Sequence, residues 1–123
     1  MKKISSLIYG IFGTIAIVFG TATLLIPAAL HSDTEQSVPF AHNLREQGAA
    51  FVFVGLMAFW CIFNYDRKRT VHYFLTLFTF LIAGVHWFEY LGGRLPWVSL
   101  TYNTIPFLAF LAMAIFDRKD NWI

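Results

Sequence analysis

QGAAFVFVGLMAFWCIFNYDRKRTVHYFLTLFTFLIAGVHWFEYL, residues 47–91, decides the fold. Two apolar runs, Gln47–Tyr65 and Thr70–Leu91, flank one compact charged step, Asp66-Arg67-Lys68-Arg69. Each run is near the roughly 20 residues that a helix needs to cross about 30 Å of hydrocarbon. With no water in that layer, every backbone N–H and C=O must be paired inside the segment, so both runs are expected as helices despite their many Phe and β-branched residues. A β-barrel would show alternating segments of about 10 residues, and these runs do not alternate. The charged step is too short for a crossover, so the two helices are expected as antiparallel neighbours.

Outward from this hairpin lie two more runs. Ile4–Ile26 is closed by Pro27, and Val98–Phe116 follows the short link Gly92–Trp97. The fold class expected is therefore all-α, an integral membrane bundle of four transmembrane helices in one domain, residues 1–123. Its spans are about 4–26, 47–65, 70–91 and 98–116. The one sizeable loop, residues 28–46, is placed on the outer side, with a short amphipathic piece near Phe40–Arg45 leading into the second span. Pro27 and Pro39 disfavour one continuous helix through that loop. The run after Lys2-Lys3 is longer than the roughly 7–15 residues of a signal-peptide core and reads as a retained first span.

Composition agrees. The chain has 123 residues, 58% hydrophobic and 13% charged, where a soluble domain carries about 25% charged. Aromatic residues make up 19%, an excess that suits lipid-facing helices and interfacial belts. Lys2 and Lys3, Arg67 to Arg69, and Arg118 and Lys119 mark the same side of the four runs, and the other gaps hold only Arg45 and Arg94. That asymmetry places both termini in the cytoplasm of a bacterial-type inner membrane. The basic residues read as topology determinants, with no nucleic-acid partner. The single Cys61 excludes an intrachain disulfide and reads as a buried structural thiol.

Small residues mark close helix approach. Ser6, Gly10, Gly13, Thr14 and Gly20 lie in the first span, and Gly48, Ala49, Ala50 and Gly55 in the second. They serve contacts within the bundle or a homodimer. Tyr65-Asp66-Arg67-Lys68 and Phe116-Asp117-Arg118-Lys119 echo one another, either as a relic of a duplicated hairpin or because inward-ending spans carry basic residues.

The polar residues near the hydrocarbon gather toward the outer side. His86, Glu89 and Tyr90, at i, i+3 and i+4, share a helix face. Arg45 and Glu46 open the second span, Arg94 follows the third, and Tyr102 and Asn103 begin the fourth. Intramembrane ionisable groups are costly and are paired or functional. The candidate catalytic pair is His86 and Glu89, whose pKa values burial and a partner would tune. Candidate ligand-binding residues are Arg45, Glu46, Tyr90, Arg94, Tyr102 and Asn103. The structural alternative is an interfacial network, with Glu89 on Arg94 or Arg45 and His86 on Asn103 or a backbone carbonyl. A metal is not expected: beyond one helix the donors are His31, His42 and Glu46 of the loop. His72 and His86 lie 14 residues apart, on one face about 21 Å apart, but no other span supplies a second axial His for haem. His72, beside Tyr73 and near Arg69, reads as an interfacial residue.

The layout resembles the DoxX/DoxD-like superfamily of small four-helix membrane proteins. The resemblance rests on Glu46-Gln47-Gly48-Ala49-Ala50 and Gly55 in the second span, the basic turn Arg67–Arg69, and the polar end of the third span. It implies a compact four-helix bundle, and for some members partnership with oxidoreductases that deliver electrons to quinone. By position, only Glu46 and the small residues after it carry over. The function expected is an accessory or anchor subunit that binds a protein partner or a lipid-soluble, quinone-type ligand at an outer-leaflet polar pocket, with the bilayer itself as the other partner. The alternatives are a membrane enzyme acting on a lipid or isoprenoid by acid–base chemistry at His86 and Glu89, and a small oligomeric transporter.

Overall fold

The structure, a computed structural model, describes residues 2–30 and 38–116. His31, Asp117, Arg118, Lys119 and Trp122 lie outside the described residues. Helix α1 spans Lys2–Leu25, a single turn α2 spans Pro27–Leu30, and α3 spans Val38–Phe63. A 3-10 turn, Tyr65–Arg67, leads into α4, Arg69–Leu91, and α5 spans Trp97–Phe116. The described residues are thus all-helical, and α1, α3, α4 and α5 are long and apolar enough to cross a membrane. Three of the four start and stop close to the apolar runs. The exception is α3, which is already helical from Val38, so that part of the stretch expected as loop belongs to it. Pro39 is compatible with this because the first helical turn has no use for its missing N–H. Leu44, 6% exposed, anchors the added turns.

Glycine spacing sets the tightest packing. A Cβ on Gly20 would lie 2.7 Å from the Gly48 carbonyl oxygen, and one on Gly48 would lie 2.6 Å from that of Gly20. One turn-pair away, a Cβ on Gly55 would lie 2.8 Å from the Gly13 oxygen. Seven residues separate the glycines on each helix, the period that keeps two helix faces together. Antiparallel α1 and α3 therefore approach backbone to backbone, as small residues permit. For these four glycines the small faces are used inside the bundle.

Helices α4 and α5 form the second pair, through Phe80 on Phe107 (ring centroids 5.3 Å apart) and Trp87 Nε1 donating to Thr104 Oγ1 at 3.2 Å. Although α3 and α4 are consecutive and antiparallel, they pack far more lightly than α1 against α3. The two pairs meet in a core of Tyr9, Val54, Ala58, Cys61, Leu75, Phe110 and Met113. Phe51 meets Phe78 edge-on at 5.8 Å, and Phe12 meets Phe110 edge-on at 4.8 Å.

Candidate functional site

The polar residues expected at one outer site are held in separate local contacts. Glu89 Oε2 lies 3.1 Å from Arg94 Nε. The helix end makes this pair: Gly92 and Gly93 close α4, Gly93 with φ 72°, and the Arg94 N–H returns to the Glu89 carbonyl at 2.9 Å. A left-handed φ of this kind suits glycine. His86 Nδ1 lies 2.9 Å from Ser99 Oγ, across the α4–α5 seam, and Asn103 Nδ2 donates to the Ser99 carbonyl at 2.8 Å. Thus His86, Ser99 and Asn103 stand together. Among the described residues no hydrogen bond joins His86 to Glu89. Tyr90 packs edge-on against Trp87, centroids 6.4 Å apart, while Tyr102 is 72% exposed. On α3, Glu46 pairs with His42 at 3.2 Å, both largely exposed, and Arg45 is exposed. Of the two alternatives raised for Glu89, the Arg94 partner is the one present. For His86 the partner is Ser99, which sequence reasoning did not name.

Because Arg94 is largely exposed and Glu89 partly so, Glu89→Gln is expected to change stability by only about 1 kcal/mol. Reversible unfolding in detergent micelles measures this. A larger loss would show that Glu89 supports more than Arg94.

The constellation that the fold does build lies at the other end, where α1 begins and the α3–α4 turn closes. Its centre is His72, fully buried on α4. Its Nε2 lies 3.0 Å from the Phe110 carbonyl oxygen of α5, and its Nδ1 lies 2.6 Å from the Tyr9 hydroxyl of α1. A carbonyl only accepts, so Nε2 carries a proton; in the neutral ring, Nδ1 then accepts from the Tyr9 O–H. His72 thereby ties three helices together. With both ring nitrogens engaged, neither is available as an axial ligand. Lys68 is only 4% exposed, with its ammonium 3.4 Å from the centroid of the Tyr65 ring and 5.5 Å from that of Tyr9. Desolvated cation–π contacts of this kind are worth about 2 kcal/mol. Cys61 is fully buried in the same core as Tyr9. Its burial fits the structural thiol expected.

His72 is thus buried between helices one turn into α4, a feature that its reading as an interfacial residue did not include. The signal was present in its register: His72, Leu75, Thr79 and Ala83 form the buried stripe of α4. Chemically, the hub is closed. His72 and Tyr9 are wholly inside, so the arrangement orients helices and offers no entry to a substrate. Among the described residues no three His, Cys, Asp or Glu side chains gather closely enough to hold a metal ion.

Fold and site together define a small all-helical protein with four potential membrane spans, built as two antiparallel pairs around a buried tyrosine–histidine hub. The chain belongs to the family DUF4345, a domain of unknown function, whose sequence profile matches residues 4–85. The matched segment contains Tyr9, Cys61, Lys68 and His72 and stops just before His86. No curated protein and no solved structure matches the chain.

Proposed function

We propose that the chain is a multi-pass protein of a bacterial-type inner membrane, with both termini cytoplasmic, and that it acts as a non-catalytic accessory or anchor subunit. In this role it binds a protein partner or a lipid-soluble, quinone-type ligand. The observation that carries this reading is how little apolar surface the chain covers by itself. In the fourth candidate span only 11% of the most apolar window is buried, against 28% in each of the first two. Such a surface calls for lipid or a partner around it. The orientation is supported by the basic residues at the Lys2 and Arg67–Arg69 end.

The non-catalytic part is supported by the separate engagement of His86 with Ser99 and of Glu89 with Arg94, which uses one group to hold α4 against α5 and the other to hold it against the α4–α5 link. Tyr90, Arg94 and Tyr102 are the polar, accessible groups at that end, and there a quinone-type head group would find donors. Kinship with DoxX/DoxD-like proteins forms part of this reading, supported by the four-helix layout and by the way Gly48 and Gly55 seat against α1. Self-association belongs to it too, with the Ser6–Gly10–Thr14 face as the open side of α1.

Native mass spectrometry of the protein, extracted gently from its own membranes, tests the reading. A retained small molecule or a co-migrating subunit is expected, and His86→Ala is expected to affect mainly folding or assembly, through the lost contact with Ser99. A bare chain in every extraction would overturn it. Turnover of a lipid substrate that disappears in a normally folded His86→Ala protein would replace it with acid–base catalysis.

A further inference from the structure

The geometry points to a binding site for the phosphate of an anionic phospholipid headgroup, at the end where α1 begins and the α3–α4 turn closes. It is formed by Lys2 and Arg67 beside the ring of Tyr65. The inference rests on the membrane placement proposed above.

Cations from distant parts of the chain converge there. The Lys2 ammonium lies 5.3 Å from the centroid of the Tyr65 ring, and the Lys68 ammonium lies 3.4 Å from the same centroid. Arg67 is exposed in the same 3-10 turn as Tyr65. Asp66, also exposed in that turn, offsets one of these charges. Like charges held near a low-dielectric surface repel.

Backbone electrostatics add to the excess. Neither α1 nor α4 has an acidic residue in its first turn, and no side chain caps α4. Instead Lys2 and Lys3 open α1, and Lys68 and Arg69 open α4. Basic residues at a helix N-terminus oppose the helix dipole, whereas an anion there is stabilised. Topology signalling needs only basic residues near the span ends. It does not require two of them to converge on one tyrosine, with Lys68 buried to 4% exposure.

A lipid fits better than a free anion because large apolar side chains are exposed near the cluster along the chain. Leu7 is 62% exposed on α1, and Phe63, just before the turn, is 82% exposed. A diacyl chain can lie against these residues while its phosphate meets Lys2 and Arg67.

The test uses the full-length chain in lipid nanodiscs, with retained lipid counted by native mass spectrometry after mixing phosphatidylglycerol and phosphatidylcholine. The wild-type chain is expected to retain phosphatidylglycerol in preference. Lys2→Gln with Arg67→Gln is expected to weaken that retention by about thirtyfold, at roughly fivefold for each basic group near the surface. Arg45→Gln, at the opposite end, is expected to leave it unchanged. Equal retention of the two lipids overturns the site, as does a double variant that binds like wild type. Displacement of phosphatidylglycerol by inorganic phosphate alone at millimolar concentration also overturns it, because the ligand would then be a free anion. Circular dichroism confirms that the variant is folded, and Arg67→Gln alone provides the readout should the double variant misfold. Carbonate extraction separates the two levels of failure. A chain released from membranes defeats the membrane placement, whereas an embedded chain indifferent to headgroup charge defeats only this site.

Discussion

Gly48→Val is expected to be among the most damaging single substitutions in the chain, with a loss of about 3 kcal/mol or more in reversible unfolding from detergent micelles. Overpacking a tight contact costs about 1–3 kcal/mol and more where nothing can yield. Here the obstructing atoms are backbone: a Cβ at position 48 would lie 2.6 Å from the Gly20 carbonyl oxygen and 2.7 Å from the Leu24 nitrogen. No rotamer change relieves either contact, so α1 and α3 must move apart along the seam. Gly48→Ala already introduces the offending carbon and is expected to lose about 1–3 kcal/mol. Gly84→Ala is the internal control. It lies mid-helix with nothing within 4 Å of a new Cβ, and alanine lowers the entropy of the unfolded chain, so stability is expected to hold or rise slightly. Equal responses at positions 48 and 84 would refute the backbone-to-backbone account of the α1–α3 pair.

The same glycines show what was legible in the sequence. Span number and most boundaries follow from hydrophobic length and from stop signals such as Pro27 and Gly92-Gly93, because these depend only on local backbone chemistry. The start of α3 was half legible. The amphipathic piece near Phe40–Arg45 was expected as a lead-in to the span, whereas α3 runs unbroken from Val38; a helix needs only backbone pairing and one anchored side, and buried Leu44 supplies that side. Pairing strength was half legible. The short Asp66–Arg69 step made α3 and α4 neighbours, but the closest partners are set by glycines seven apart in α1 and in α3, a match visible only when the two helices are compared.

Side-chain partners were harder still, because they depend on helix rotation. The i, i+3 spacing placed His86 and Glu89 on one face, and it is silent about the groups opposite them. The turn after Gly93 folds Arg94 back onto Glu89, and α5 brings Ser99 to His86. For His72 the basic neighbours argued for an interface, while the stripe through Leu75, Thr79 and Ala83 argued for burial, and packing followed the stripe.

Because His72 joins α1, α4 and α5, its hydrogen bonds are expected to hold the two helix pairs together, and a double-mutant cycle with Tyr9 measures this directly. Tyr9→Phe removes the hydroxyl that meets the buried Nδ1, at an expected cost of about 1–3 kcal/mol. His72→Ala also deprives the Phe110 carbonyl of its contact and opens a cavity in the core, for an expected loss of roughly 3–5 kcal/mol. Combined, the two substitutions should cost less than their sum by about 1–2 kcal/mol, because once the imidazole is gone the hydroxyl has lost the partner that made it valuable. His86→Ala, at a part-buried histidine bonded across one seam to Ser99, should cost clearly less than His72→Ala in the same assay. Additive losses at Tyr9 and His72 would mean that the 2.6 Å contact contributes no net energy. The junction between the pairs would then rest on the aromatic packing of Phe12 and Phe110, and of Phe51 and Phe78, rather than on the hydrogen-bonded hub.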